Sequence, residues 1–223
     1  MYTGNRNVEM GGQHMDTFVI TIARELGSGG SRIGRMLSQR LGYSFYDREI
    51  LQMAADESGI DAGVFTRSDE QMTRFNLFRA VRMANDGKFV PSPPDQEDRV
   101  SDENLFRYQA RVIRQIAQDE NCVIVGRCAD YILRGQPNVF NVFVHAPLDH
   151  RIASIMEAQG VDEVEAERRI RRTDRRRAEY YRFFTGLDWQ DAKHYDLCLN
   201  TGKVPFETGV QMIEACMKLR FGL

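Results

Sequence analysis

The chain has 223 residues, 42% of them hydrophobic and 28% charged, with a formal net charge of −2. That suits one globular domain with a full core, with room for a subdomain, and a chain with no basic excess is not composed like a bulk nucleic-acid binder. No apolar run approaches the roughly 20 residues of a membrane-spanning helix, and no signal-peptide pattern opens the sequence. Cys122, Cys128, Cys198 and Cys216 show no CxxC spacing, which reads as buried thiols in a reducing cytoplasm, not a disulfide framework or metal site.

Residues 1–16 are polar and without periodicity, the pattern of a flexible leader. "TFVITIA" (17–23) is a continuous apolar run rich in β-branched residues, as in a strand buried on both faces. Glycines follow directly, and "SRIGRMLSQRLG" (31–42) then spaces Ile33, Met36, Leu37 and Leu41 as a helix, with Gly42 to stop it. "YSFYD" (43–47) predicts a second strand and "REILQMAADESG" a second helix. "CVIV" (122–125), "VFNVFVHA" (139–146) and "YDLCLNT" (195–201) complete the set of strands. Strands alternating with helices predict an α/β fold with a parallel sheet. Two segments break the rhythm. Residues 66–104 hold "DGKFVPSPPDQEDRVSDEN", which reads as a surface loop or insertion, and residues 160–190 concentrate charge.

The glycine-rich turn between the first strand and helix has the setting of a phosphate-binding loop. Its peptide N–H groups and the helix dipole favour an anion, and Gly27, Gly29 and Gly30 permit the turn and the close approach. Against the pattern GxxxxGK[ST], Gly30 stands where the lysine belongs, with Ser31 and Arg32 next to it. Either Arg24 or Arg32 is then the source of the missing positive charge, with Ser28 or Ser31 available to Mg²⁺. A glycine turn without a ligand is the other reading.

"ERRIRRTDRRRAEYYR" (167–182) sets eight arginines against three acids, too few apolar side chains for an ordinary core-facing stripe. Ile170, Asp174, Arg177 and Tyr181 share one face. Asp174 is placed to orient Arg177, while Arg171, Arg172 or Arg175 point to a separate anion. Arginine suits phosphoryl groups because its planar fork donates in pairs and stays charged. Taken alone, the run also fits a solvated basic face; coupled to a phosphate loop it fits a closing arginine lid. At the predicted carboxyl ends of two strands, where open parallel sheets collect ligands, stand Asp47, Arg48 and Glu49, and Arg127 with Asp130. A carboxylate there holds Mg²⁺ or orients the attacking oxygen, and an arginine binds the acceptor. An ion pair between Arg127 and Asp130 capping the next helix is the structural alternative. The four histidines form no nucleophilic or metal arrangement.

The succession "ITIARELGSGGSRIG", "FYDREIL", "CVIVGRCADYIL", "DRRRAEYYRFFTGLDW" and "YDLCLNTG" resembles the cytidylate kinase-like family of P-loop proteins from about residue 17 to the C-terminus. The resemblance implies a three-layer P-loop NTPase-type fold: a five-stranded parallel sheet flanked by helices, with an acceptor-binding insertion (66–104) and an arginine-rich lid (160–190). It also implies Mg²⁺-dependent transfer of the ATP γ-phosphate to CMP, dCMP or a related acceptor. Carried over by position, Gly27 and Gly29 match the loop glycines, Asp47 the acid opening the acceptor region, Gly126 and Arg127 the "GR" after the third strand, and Asp174 and Arg177 the lid pair. Three positions depart from the pattern. Gly30 replaces the loop lysine, Cys128 replaces the acid after "GR" with Asp130 two residues further on, and Met53 replaces an arginine. The expected nucleotide and metal ligands are Arg24, Gly27, Ser28, Gly29, Gly30, Ser31 and Arg32, with Ser31 and Asp130 on the metal. Asp47, Arg48 and Arg127 are expected at the acceptor, and Arg127, Asp130, Arg172, Asp174 and Arg177 at the chemistry. A non-catalytic nucleotide sensor with a degenerate loop is the alternative.

Overall fold

The computed structural model describes residues 17–70 and 101–223. The proposed leader (1–16) and residues 71–100 of the proposed insertion lie outside the described residues.

Five strands form one fully parallel sheet: β1 (Val19–Arg24), β2 (Ser44–Tyr46), β3 (Cys122–Val125), β4 (Val139–His145) and β5 (Leu197–Asn200), in the order β2-β3-β1-β4-β5. The apolar runs end within one or two residues of where the sequence puts them. β1 is central, paired with β3 over residues 19–22 and with β4 over 19–24. Alternation along it divides the core. Val19 and Ala23 point into one apolar cluster, Ile20 and Ile22 into another on the opposite face, as the two-residue period of a strand requires.

On the Ile20 and Ile22 face, α1 (Gly30–Leu41) and α8 (Phe206–Phe221) pack through Ile33, Leu37, Val210 and Ile213. The other face is covered by α2 (Glu49–Ser58), α3 (Ala62–Glu70), α4 (Asp102–Asp119) and the short α5 (Ala129–Ile132). α4 starts at Ser101, whose hydroxyl accepts the Asn104 N–H at 3.3 Å. Both described margins of the 66–104 segment are therefore helical, at 66–70 and from Asp102 onward.

Two further helices, α6 (Leu148–Gln159) and α7 (Glu163–Thr185), stand over the carboxyl edge of the sheet. α7 is the arginine-rich segment, and it corrects one expectation. It buries Ala166 and Ile170 at one end against α6, and Tyr180, Tyr181 and Phe184 at the other. Phe184 stacks on Phe106 of α4 with ring centroids 4.1 Å apart. Three large aromatic residues bury enough surface to anchor the helix although few of its residues are apolar. Among the described residues no helix is long and apolar enough to cross a membrane. Cys122 and Cys128 are buried free thiols, whereas Cys198 is exposed and Cys216 half-buried, so the expectation of buried thiols holds for two of the four.

Candidate active site

β1 lies between β3 and β4, and the chain runs from β1 out to β2 on one side and from β3 across to β4 on the other. In open parallel sheets the crevice at such a point is where ligands bind. A cleft of about 780 Å³ lies there, floored by Ala23 and Arg24 of β1, Asp47 and Arg48 after β2, and Gly126, Arg127 and Cys128 after β3. Leu51, Gln52, Ala62 and Thr66 form one wall, and α7 forms the roof. Seven arginines line it (24, 48, 127, 169, 172, 176 and 177) against two aspartates, Asp47 and Asp130. A cleft whose charges are mostly of one sign focuses its field on a ligand of the other sign, so this one favours anions.

The glycine loop lies beside the cleft: Leu26 and Ser31, at its two ends, line the cleft, whereas Gly27, Ser28, Gly29 and Gly30 do not. Gly27 and Gly29 both hold φ of 80°, and α1 begins immediately after them. Ser28 is fully buried, its hydroxyl donating to the Glu25 and Val144 carbonyls at 2.8 and 3.1 Å, so it fastens the loop from within. Ser31 faces the cleft and donates to Asp47 Oδ2 at 3.1 Å, while Arg24 reaches Asp47 Oδ1 at 3.4 Å. Arg32 does not line the cleft; its guanidinium lies over the Phe206 ring, 4.7 Å from the centroid.

The turn after β3 holds an unusual backbone. Gly126, Arg127 and Cys128 have φ of 76°, 61° and 53° in succession. For the two non-glycine residues this left-handed region costs about 1–3 kcal/mol each. The turn aims Arg127 at the cleft, with its Nε 3.5 Å from the Asp47 carbonyl oxygen.

From above, α7 and α6 grip the loop. Asp174 accepts the Leu26 N–H at 2.8 Å and is also paired with Arg151. Arg177 donates to the Arg24 carbonyl at 2.9 Å and stands only 3.8 Å from Asp174, so the loop backbone, more than the aspartate, orients it. Ile170, Asp174, Arg177 and Tyr181 do share the inward face, as their spacing predicts. The outward arginines are a different population. Arg171 pairs with Glu167 and Arg175 with Glu179, one turn away on the same helix, and Arg168 pairs with Glu165. Arg169, which lines the cleft, shares Glu165. Arg172 and Arg176 face the cleft and make no hydrogen bond or ion pair among the described residues.

Asp130 is 7% exposed and accepts the Tyr181 hydroxyl at 2.6 Å. Burial pushes its carboxyl above the ordinary carboxylate value, opposed by the Tyr181 hydrogen bond. Burial and the Asp130 charge in turn push the Tyr181 phenol up, so it remains a donor. Asp130 therefore stands as a partner of Tyr181, joining α5 to α7, and makes no ion pair with Arg127. Among the described residues no cluster of three or more His, Cys, Asp or Glu side chains is arranged to hold a metal.

A carboxyl raised on folding binds its extra proton in the folded chain. Stability then falls as pH rises from the ordinary carboxylate value through the raised one, and stays at the lower level above it. Asp130→Asn removes that loss and keeps an oxygen for Tyr181. The variant is expected to melt higher than the native chain at pH 7. The gap should close as the pH approaches 4. A lower melting point at pH 7 would show that Asp130 stabilises the fold as an anion.

Arg151, Arg169, Arg176 and Tyr181 were not singled out as site residues from the sequence. Arg176 had a readable signal, because the glutamates at i±4 mark Arg171 and Arg175 as the outward pair. Arg151 had none, being one cation in an ordinary helix.

Comparison with known proteins identifies the family. The profile of the cytidylate kinase-like family matches residues 19–203. A cytidylate kinase of Methanopyrus kandleri is 25% identical over 194 residues, covering 83% of this chain and 85% of that protein. A cytidylate kinase of Methanothermobacter thermautotrophicus is 26% identical over 192 residues, covering 85% and 98%. Among solved structures, a protein from Eubacterium ventriosum superposes with a TM-score of 0.65 at 27% identity, over 90% of this chain and 98% of that one. With the matched region running from the first residue of the central strand to beyond the last strand, the chain belongs to the cytidylate kinase-like family.

Proposed function

We propose that the protein is a Mg²⁺- and ATP-dependent phosphotransferase of the nucleoside monophosphate kinase type, acting on CMP, dCMP or a related nucleotide. The observation that carries this reading is the cleft of seven arginines and two aspartates beside the glycine loop. The names of the relatives from Methanopyrus and Methanothermobacter support the choice of acceptor.

Ser31 and Asp47 suit Mg²⁺: their oxygens lie 3.1 Å apart at the loop, and this ion is commonly held by one or two protein oxygens together with substrate phosphates. Bound there, it would neutralise charge on the phosphoryl oxygens. Asp130, committed to Tyr181, is the poorer ligand. Arg48 and Arg127 hold the acceptor phosphate near the strand ends. Arg172, Arg176 and Arg177, on the roof formed by α7, surround the transferring group and keep water out. Catalysis of this kind is positioning and electrostatics, with no covalent step for the protein.

A coupled assay of MgATP against each nucleoside monophosphate tests the reading, with turnover highest on a cytidine nucleotide. Tight nucleotide binding with no turnover on any acceptor would replace it with the sensor. The two classes of arginine on α7 supply an internal control. Alanine at Arg172 or Arg176 is expected to lower kcat/KM about tenfold each, as for one charge-assisted contact. Alanine at Arg171 or Arg175 should leave activity unchanged and shift stability by no more than about 0.5 kcal/mol. Equal effects in both classes would mean that the helix acts only as a basic surface.

A further inference from the structure

Beyond the class of reaction, and resting on the phosphotransfer reading, we infer that Arg24 does the work of the lysine absent from the glycine loop. On this account Gly30 is glycine so that the Arg24 stem can pass.

The lysine position of the loop pattern falls on Gly30. A Cβ added there would lie 2.5 Å from Arg24 Cβ, 2.9 Å from Arg24 Cγ and 3.4 Å from Val144 Cβ. Real Cβ atoms do not approach that closely, so a side chain at 30 and the Arg24 stem exclude each other. From Gly30 the arginine continues across the strand ends. Its Nη1 lies 2.0 Å from where a Cβ on Gly126 would be, and its Nη2 is 3.4 Å from Asp47 Oδ1. The guanidinium thus sits on the cleft floor, between the tips of β1 and β3 and the residue that shares Asp47 with it, Ser31. Two glycines clear its path, one under the stem and one under the head.

Arg32, the other nearby cation of the loop, lies over Phe206 and does not line the cleft. A lysine rises into a phosphate loop from the first turn of the helix. Here the charge arrives from the last residue of the central strand, and its planar fork can donate to two phosphoryl oxygens at once. The groups it serves are those that distinguish nucleoside di- and triphosphates from monophosphates.

The test is calorimetric titration of the full chain with a non-hydrolysable MgATP analogue, MgADP and AMP. Arg24→Gln keeps the stem and removes the charge. It is expected to bind the triphosphate and diphosphate about 10- to 100-fold more weakly, with AMP affinity changed less than about twofold. Arg32→Ala should bind as the native chain does. Arg24→Gly combined with Gly30→Lys should recover at least about tenfold of the affinity that Arg24→Gly alone loses, because both stem atoms that would meet a side chain at 30 are then gone. The inference is overturned if Arg24→Gln binds the triphosphate as tightly as the native chain, or if it loses AMP and triphosphate equally, which would mark Arg24 as a structural residue. Loss confined to Arg24→Gln with no recovery in the double variant would also count against it. If the native chain binds no adenine nucleotide, the phosphotransfer reading and this inference both fall; if it binds and Arg24→Gln matches it, only this inference does.

Discussion

Asp174→Ala is expected to lower stability by about 3–4 kcal/mol and turnover by about 100- to 1,000-fold. Its carboxylate accepts the Leu26 N–H and holds Arg151, and with Arg177 on the Arg24 carbonyl it ties α7 to the glycine loop. The side chains of Asp174 and Arg151 are only 16% and 11% exposed. Removing one partner of a largely buried pair leaves the other uncompensated, which costs about 3–5 kcal/mol. Glu25, 3.5 Å from Arg151 Nε, offsets part of that. The loss of rate comes from the arginines that the helix carries, since a misplacement of about 1 Å can reduce a rate 100-fold. Asp174→Asn keeps an acceptor for the Leu26 amide but loses the charge facing Arg151, and belongs between the two. Denaturation midpoints together with the coupled assay measure both effects. An alanine variant that melts and turns over like the native chain would show that the link between helix and loop is incidental.

Gly126→Ala separates chemistry from stability in the opposite proportion. At φ of 76° an alanine is strained by about 1–2 kcal/mol, a modest loss for the fold. Its methyl group, however, would fall 2.0 Å from Arg24 Nη1. The guanidinium is the flexible end of its side chain, so it would move away instead of unfolding the turn. Arg127, the next residue, would shift with its backbone. Displacing two cations from the cleft floor is expected to reduce kcat/KM by about 1,000-fold, from one to two electrostatic donors at roughly 10- to 1,000-fold each. Thermal melting should move by no more than about 3–6 °C. A melting loss much larger than this, with activity retained in the surviving fold, would show that Gly126 serves only the backbone.

The sheet was legible because its signal is local. Apolar runs such as "CVIV" and "VFNVFVHA" are short, rich in β-branched residues and bounded by turn residues, and the structure places β3 and β4 on them. Gly42 likewise announced the end of α1, which it caps. The anchoring of α7 was less legible, because counting charges along "ERRIRRTDRRRAEYYR" hides how much surface Tyr180, Tyr181 and Phe184 bury. Which arginine faces the cleft was half legible. The glutamates one turn from Arg171 and Arg175 were visible in the sequence, whereas the contact of Arg177 with the Arg24 carbonyl joins residues 153 positions apart. Where Arg24 and Arg32 point was not legible in the sequence for the same reason: Gly126 lies beside the head of one and Phe206 beneath the other, and both are distant along the chain. Asp130 shows a further limit. Its position after "GR" suggested a metal ligand, but its exposure and its tie to Tyr181 depend on how α7 comes down on α5.

The stem of Arg24 lies against the Gly30 backbone at the end of a strand bonded on both sides. A free arginine carries about 2 kcal/mol of rotamer entropy, and an arginine waiting in solvent surrenders it when a ligand arrives. Here the ordering is completed during folding, at the most constrained strand of the sheet. An incoming phosphate chain would meet a donor already at rest, and the attraction between them would appear almost undiminished as affinity.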